Sequence, residues 1–283
     1  MDRALADICD RDLDGLAPTV AAAIRYSLLG EGKRLRAILA MAAHRAAGGQ
    51  GSVTALAASV EVVHAYSLVH DDLPCMDDDD MRRGRATVHK VFGVPAATAA
   101  GLAMVPLAAR AADLAARSLG LAPATCGAIV RTLMVASGAG GMIGGQLLDL
   151  EGEGTAMTVG QLERIHRAKT GALIAASVML GGMAARAPQG AMLGFERYGA
   201  AIGLAFQIAD DVLDITATTD QLGKVAGRDL ALQKSTYPAL LGVTGAVARA
   251  ESLVDEACAA LAGEGLLTPD LEYLARFMVK RTS

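Results

Sequence analysis

The stretch His64-Ala65-Tyr66-Ser67-Leu68-Val69-His70-Asp71-Asp72-Leu73-Pro74-Cys75-Met76-Asp77-Asp78-Asp79-Asp80 runs from an apolar segment straight into six aspartates within ten residues. A second segment has the same design: Gly203-Leu204-Ala205-Phe206-Gln207-Ile208 leads to Asp210-Asp211-Val212-Leu213-Asp214. Packing so many carboxylates at the end of a buried element costs Coulombic and desolvation free energy. A hard divalent cation relieves both, and oxygen-only ligation selects Mg2+ or Mn2+ over zinc. Mg2+ takes one or two carboxylates and completes its shell with water and phosphate oxygens. Two such clusters imply a diphosphate held between two acidic walls.

Working outward, the rest of the chain supplies helices to carry those walls. The 283 residues are 53% hydrophobic but only 3% aromatic, with no Trp, so Ala, Leu, Val and Met must fill the core. Ala-rich composition with few strand-forming runs predicts closely packed helices. Apolar residues recur at three and four, as in Leu162, Ile165, Ala168 and Leu173, with Glu163, Arg164 and Arg167 on other faces. Gly48-Gly49-Gln50-Gly51, Gly93-Val94-Pro95, Ala187-Pro188-Gln189-Gly190 and Thr268-Pro269 read as turns. Thr158 with Gln161 three residues on reads as a capping box. No linker or repeat divides the sequence, so we expect one all-α domain over 1–283, a single large bundle of around ten helices around a central apolar cavity, with essentially no sheet.

Composition also excludes. A net charge of −4 gives no general attraction to nucleic acid or anionic lipid. Cys9, Cys75, Cys126 and Cys258 show no paired metal spacing, and no signal-peptide pattern is present, so reduced thiols in the cytoplasm are expected. The longest uncharged stretches, 94–109 and 170–185, are Ala/Gly-rich and fall short of the ~20 strongly apolar residues a bilayer requires. They read as buried helices, not membrane spans.

Asp210 and Asp214, four apart, project from one helical face, with Asp211 about 100° round. Pro74 separates Asp72 from Asp77, so helical arithmetic does not pair Asp71 with Asp77. Basic residues supply the complementary half. Lys33 and Arg36 stand at i and i+3, Arg82-Arg83-Gly84 follows the acidic run, and Lys169-Thr170-Gly171, Gly223-Lys224 and Lys234-Ser235-Thr236 add further cations beside small residues. Lys and Arg give phosphate charge-assisted hydrogen bonds, Arg bidentately. Each alone is ordinary surface charge, and their nearness to the aspartates is what singles them out. Gly32-Lys33 lacks the rest of a P-loop.

Taken together these residues resemble the trans-isoprenyl diphosphate synthases, the polyprenyl synthetase family. The likeness rests on 71–83 with two extra residues between the aspartates, on 206–214, and on Gly223-Lys224 through Lys234-Ser235-Thr236-Tyr237-Pro238. The run from His64 to Pro74 is similar to the bacterial farnesyl diphosphate synthase branch. The resemblance implies Mg2+-dependent head-to-tail condensation of isopentenyl diphosphate with an allylic diphosphate, dimethylallyl or geranyl, in a homodimer, with three Mg2+ ions when diphosphate is bound and Mn2+ able to substitute. Asp71, Asp77 and Asp210 would bind metal, with Asp72, Asp211 and Asp214 ligating or lying behind. Arg82, Lys169 and Lys224 would hold the allylic diphosphate, and Lys33, Arg36, His64 and Arg83 the isopentenyl diphosphate. Gly32 and Lys234 join the substrate-binding set, and Thr170 and Gln207 would turn oxygen dipoles to the cation. Tyr66 would limit the product to C15, with a C20 product as the alternative.

Departures from the family pattern are Glu31-Gly32 for a Gly pair, Ala37 for a proline, Leu102 for an aspartate, and Ala217 and Thr218 for Gly and Asp. A terpene cyclase would lack the second aspartate motif and the isopentenyl pocket. A non-catalytic regulatory subunit would have lost its metal ligands, and only Leu102 favours that reading.

Overall fold

The protein is seen here as a computed structural model that describes residues 1–216 and 235–280. Its elements are α1 (Asp2–Asp12), α2 (Pro18–Leu28), α3 (Leu35–Ala46), α4 (Thr54–Asp71), a hairpin of β1 (Met81–Arg82) and β2 (Arg85–Ala86), then α5 (Val88–Phe92), α6 (Val94–Ser118), α7 (Pro123–Ser137), α8 (Met142–Glu151) and α9 (Val159–His166). A π-helical turn (Arg167–Gly171) joins α9 to α10 (Ala172–Ala184), followed by α11 (Gln189–Thr216), α12 (Tyr237–Ala262) and α13 (Pro269–Lys280).

The α4 helix is central. Twelve of its 18 residues are buried, which is why its sequence shows no amphipathic stripe: it is apolar all round. It packs on α6 through small residues, while α10 packs on α3 and α11 on α12. Two apolar clusters result, one around α1, α2, α4, α6 and α7, the other around α3, α10, α11, α12 and α13. The aspartate clusters close the site at the ends of α4 and α11.

The all-α expectation holds, and Thr158 and Gln161 form the capping box. The departure is the short β1–β2 pair. Its turn, Arg83-Gly84, has both residues at positive φ (52° and 74°), the backbone that two-residue hairpins favour. The pairing of Lys33 with Arg36 on one helical face is also corrected. The α3 helix begins only at Leu35, and Arg34 before it is left-handed at φ 51°, so Lys33 belongs to the preceding loop. Val94–Ser118 and Pro123–Glu151 are long and apolar enough to cross a membrane by length and composition. Half of the most apolar window of the first is buried in the fold, and the second is interrupted between α7 and α8.

Candidate active site

A cavity of about 990 Å3 opens between the ends of α4 and α11, at the upper end of the ~300–1,000 Å3 usual for ligand clefts. Asp71, Asp77, Asp210, Asp211 and Asp214 all line it, as do Lys33, Arg36, His64, Arg82, Arg83, Lys169, Thr170 and Gln207. Lys224 and Lys234, with Gly223, Ala217 and Thr218, lie outside the described residues.

The first wall shows how chain geometry solves the proline problem. The α4 helix stops at Asp71, and after Pro74 the chain folds back so that the Asp77 N–H donates to the Asp71 carbonyl at 2.8 Å. The two residues are thus joined by backbone although six apart in sequence. Burial pushes the Asp71 carboxyl up to about 6, with Lys169 opposing and Asp77 adding to the effect. Asp72 is turned instead to Arg82, whose Nε donates to it at 2.7 Å, and the same guanidinium reaches Asp79 at 3.2 Å. Asp72 therefore anchors Arg82 while Asp71 and Asp77 face the cavity.

On the second wall Asp211 is buried. It accepts from the Tyr237 N–H at 3.0 Å and from Gln207 Nε2 at 3.3 Å. Because a carboxylate only accepts, this fixes the Gln207 amide with its oxygen outward, where the Thr170 hydroxyl donates to it at 2.7 Å. Thr170 and Lys169 are presented by the π-turn, a local widening frequent at functional sites. Two close approaches hold that turn. A Cβ added to Gly203 of α11 would meet Gly171 Cα at 2.7 Å, and one added to Gly145 of α8 would meet Lys169 Cα at 2.5 Å. Lys169 Nζ donates to Asp149 on α8 at 2.6 Å.

A separate basic corner faces the first wall. Arg36, His64 and Arg83 gather there, with Lys33 in the loop before α3. Arg82 and Arg83 diverge because the hairpin turn intervenes: Arg83 reaches the Glu31 carbonyl at 2.8 Å instead of the aspartates. Burial lowers Arg36 to about 10, against the attraction of Glu61. Burial, then Arg36 and Arg83, hold His64 well below its ordinary value, so it is neutral at physiological pH. Glu61 of α4 is the buried counter-charge; it accepts from the Ala37 N–H at 3.1 Å, capping α3 in place of Arg34.

Tyr66 is only 4% exposed and also lines the cavity, its ring 4.8 Å from that of His70. Leu102 is 62% exposed and does not line the cavity, so the missing carboxylate is not missing from this wall. Sequence reasoning passed over Glu61, Gln146, Asp149 and His166, which all line the cavity. Asp149 carried a legible signal, an acid closing the apolar run of α8; the other three show only through burial.

An all-helical fold with two carboxylate walls and a basic corner around one cavity defines a protein of diphosphate chemistry built on the isoprenoid synthase architecture. The polyprenyl synthetase family model matches residues 17–261, and the chain belongs to that family. It is a prenyltransferase of isoprenoid biosynthesis, acting in trans-prenyl diphosphate chain elongation. It is 44% identical to farnesyl diphosphate synthase of Escherichia coli, over 93% of this chain and 89% of that one. It is 41% identical to geranylgeranyl pyrophosphate synthase 7 of Arabidopsis thaliana, over 92% and 75%. The geranyltransferase of Helicobacter pylori, solved with magnesium and isoprenyl diphosphate, superposes with a TM-score of 0.83 at 29% identity, over 98% of this chain and 93% of that one.

Proposed function

We propose that the chain, as one synthase domain, joins isopentenyl diphosphate head-to-tail to dimethylallyl and geranyl diphosphates and stops mainly at C15 farnesyl diphosphate. The observation that carries this is the meeting of two carboxylate walls and a separate basic corner in one cavity. The donors facing the cavity from the walls are carboxylate oxygens, and burial already strains the ionised form of Asp71. That set fits Mg2+, with Asp71 and Asp77 on one wall and Asp210, Asp211 and Asp214 on the other. Bound there, Mg2+ supplies Lewis-acid stabilisation of the departing pyrophosphate.

The chain's own residues do the rest. Arg82, held by Asp72, and Lys169, handed over from Asp149, bind the allylic diphosphate and neutralise its growing charge. The Thr170 oxygen, its proton committed to Gln207, turns lone pairs toward the allylic cation. Lys33, Arg36 and Arg83, with neutral His64, hold isopentenyl diphosphate so that its double bond attacks C1. The pyrophosphate takes the final proton. The assembly we infer is a cytoplasmic homodimer. Tyr66 favours C15 over the C20 product of some relatives, because a bulky buried ring stands in the cavity wall beside α4. Purified protein given Mg2+, isopentenyl and geranyl diphosphates should release pyrophosphate and yield C15 by mass spectrometry, and Tyr66→Ala should shift the product to C20 or longer. A mainly C20 wild-type product, or Tyr66→Ala still stopping at C15, would show that other residues form the floor.

A further inference from the structure

Gln146 lies in the cavity wall on α8, is only 4% exposed, and has no hydrogen-bond partner for either its amide nitrogen or its amide oxygen among the described residues. A primary amide buried in that condition is destabilising relative to an apolar side chain of similar shape. Packing alone would favour Leu or Met, and Met142 stands one turn earlier on the same wall. A buried polar group left without a partner calls for a reason, and a catalytic role is one such reason.

Its position says which part of the ligand. Asp149, three residues on, holds Lys169 at 2.6 Å, and Gly145 lets α8 press on the Lys169 backbone. Gln146 is thus one turn from the residue that holds the leaving group's lysine, in the direction of the apolar Met142. Gln207 is already committed, its oxygen to Thr170 and its nitrogen to Asp211. Of these two wall glutamines, Gln146 has the uncommitted oxygen.

We propose that Gln146 is a further catalytic residue of the ionisation step, its carbonyl oxygen facing the allylic carbons just below the diphosphate. As the C1–O bond breaks, its electron pair leaves with pyrophosphate, and the positive charge spreads over C1 and C3. The amide dipole stabilises that charge without forming a bond or moving a proton. The pair from the isopentenyl double bond then fills C1. This rests on the prenyl-transfer reading above.

The test compares wild type with Gln146→Leu, using geranyl and isopentenyl diphosphates with Mg2+, and reads kcat, both KM values and the melting temperature. The expected result is a kcat lowered about 100-fold, the scale of losing one preorganised dipole, with the geranyl diphosphate KM little changed. The melting temperature should hold or rise, since an unpaired amide is gone. Wild-type kcat in the variant overturns the proposal, as does a loss confined to the geranyl diphosphate KM. A wild type that releases no pyrophosphate overturns the prenyl-transfer reading itself. Should the leucine variant not fold, Gln146→Met, closer in shape, is read by the same criteria. Failure of both to fold assigns Gln146 to the core and overturns its catalytic role.

Discussion

Burial gives the carboxylates and guanidiniums of this cavity their power, because charges removed from water interact more strongly with whatever ligand arrives. Asp71, raised to about 6, and Arg36, lowered to about 10, are both held in a state that a counter-charge would relieve. Replacing Asp71 or Asp210 by Ala should lower turnover by several orders of magnitude, since losing a Lewis-acid site forfeits several kcal/mol of transition-state stabilisation. Far-ultraviolet circular dichroism should show the helices intact. Wild-type-like turnover in either variant at saturating Mg2+ would sink the two-wall model. Arg36 sits in the other pocket, so Arg36→Ala should raise the KM for isopentenyl diphosphate far more than that for the allylic substrate. Steady-state kinetics with each substrate varied in turn decides this, and equal effects on both would refute the division of the cavity.

Between residue and fold stands the π-turn, which widens the chain at Arg167–Gly171 to present Lys169 and Thr170. Its position depends on α8 and α11 approaching closer than any side chain allows. Gly145→Ala would set a methyl group against the Lys169 backbone, and backbone cannot rotate away as a side chain can. We expect a stability loss of about 1–3 kcal/mol from overpacking, read by denaturant titration, together with a kcat fall of about 100-fold from misplacing two reacting groups. An unchanged kcat would show that the turn tolerates displacement. This element was not legible in the sequence, because Lys169-Thr170-Gly171 continues the helical pattern and nothing in 3.6-residue periodicity marks a π-turn. The hairpin was missed for a related reason: two residues per strand are too few to show alternation. The Lys33–Arg36 pairing failed because Arg34, just before α3, takes a left-handed conformation that no pattern of charges announces. What was legible was the pair of walls, since carboxylates behind apolar helices are costly enough to need a common cause.

At the scale of the molecule, the apolar residues divide unevenly between inside and outside. The α6 helix packs on α7, and α7 touches α8, so Leu102, Val135, Ile143 and Leu147 are carried by neighbouring helices. Val135 is 64% exposed, and Leu102, Ile143 and Leu147 are exposed as well, on three consecutive helices. Scattered exposed leucines need no explanation, but exposed apolar residues carried on packed neighbouring helices suit the homodimer proposed above. A second copy of the chain is the natural cover, because self-association of one apolar patch about a two-fold axis satisfies both copies with a single surface. A net charge of only −4 opposes this weakly. The wild type should sediment as a dimer, and the double variant Val135→Glu with Leu147→Glu should sediment as a monomer, because each interface would bury four unpaired carboxylates. Since α8 carries Leu147, Gln146 and Asp149, the monomer should also lose turnover, the cavity wall having lost its outer support. A monomeric wild type would refute the dimer, and a doubly charged variant that still sediments as a dimer would place the interface elsewhere.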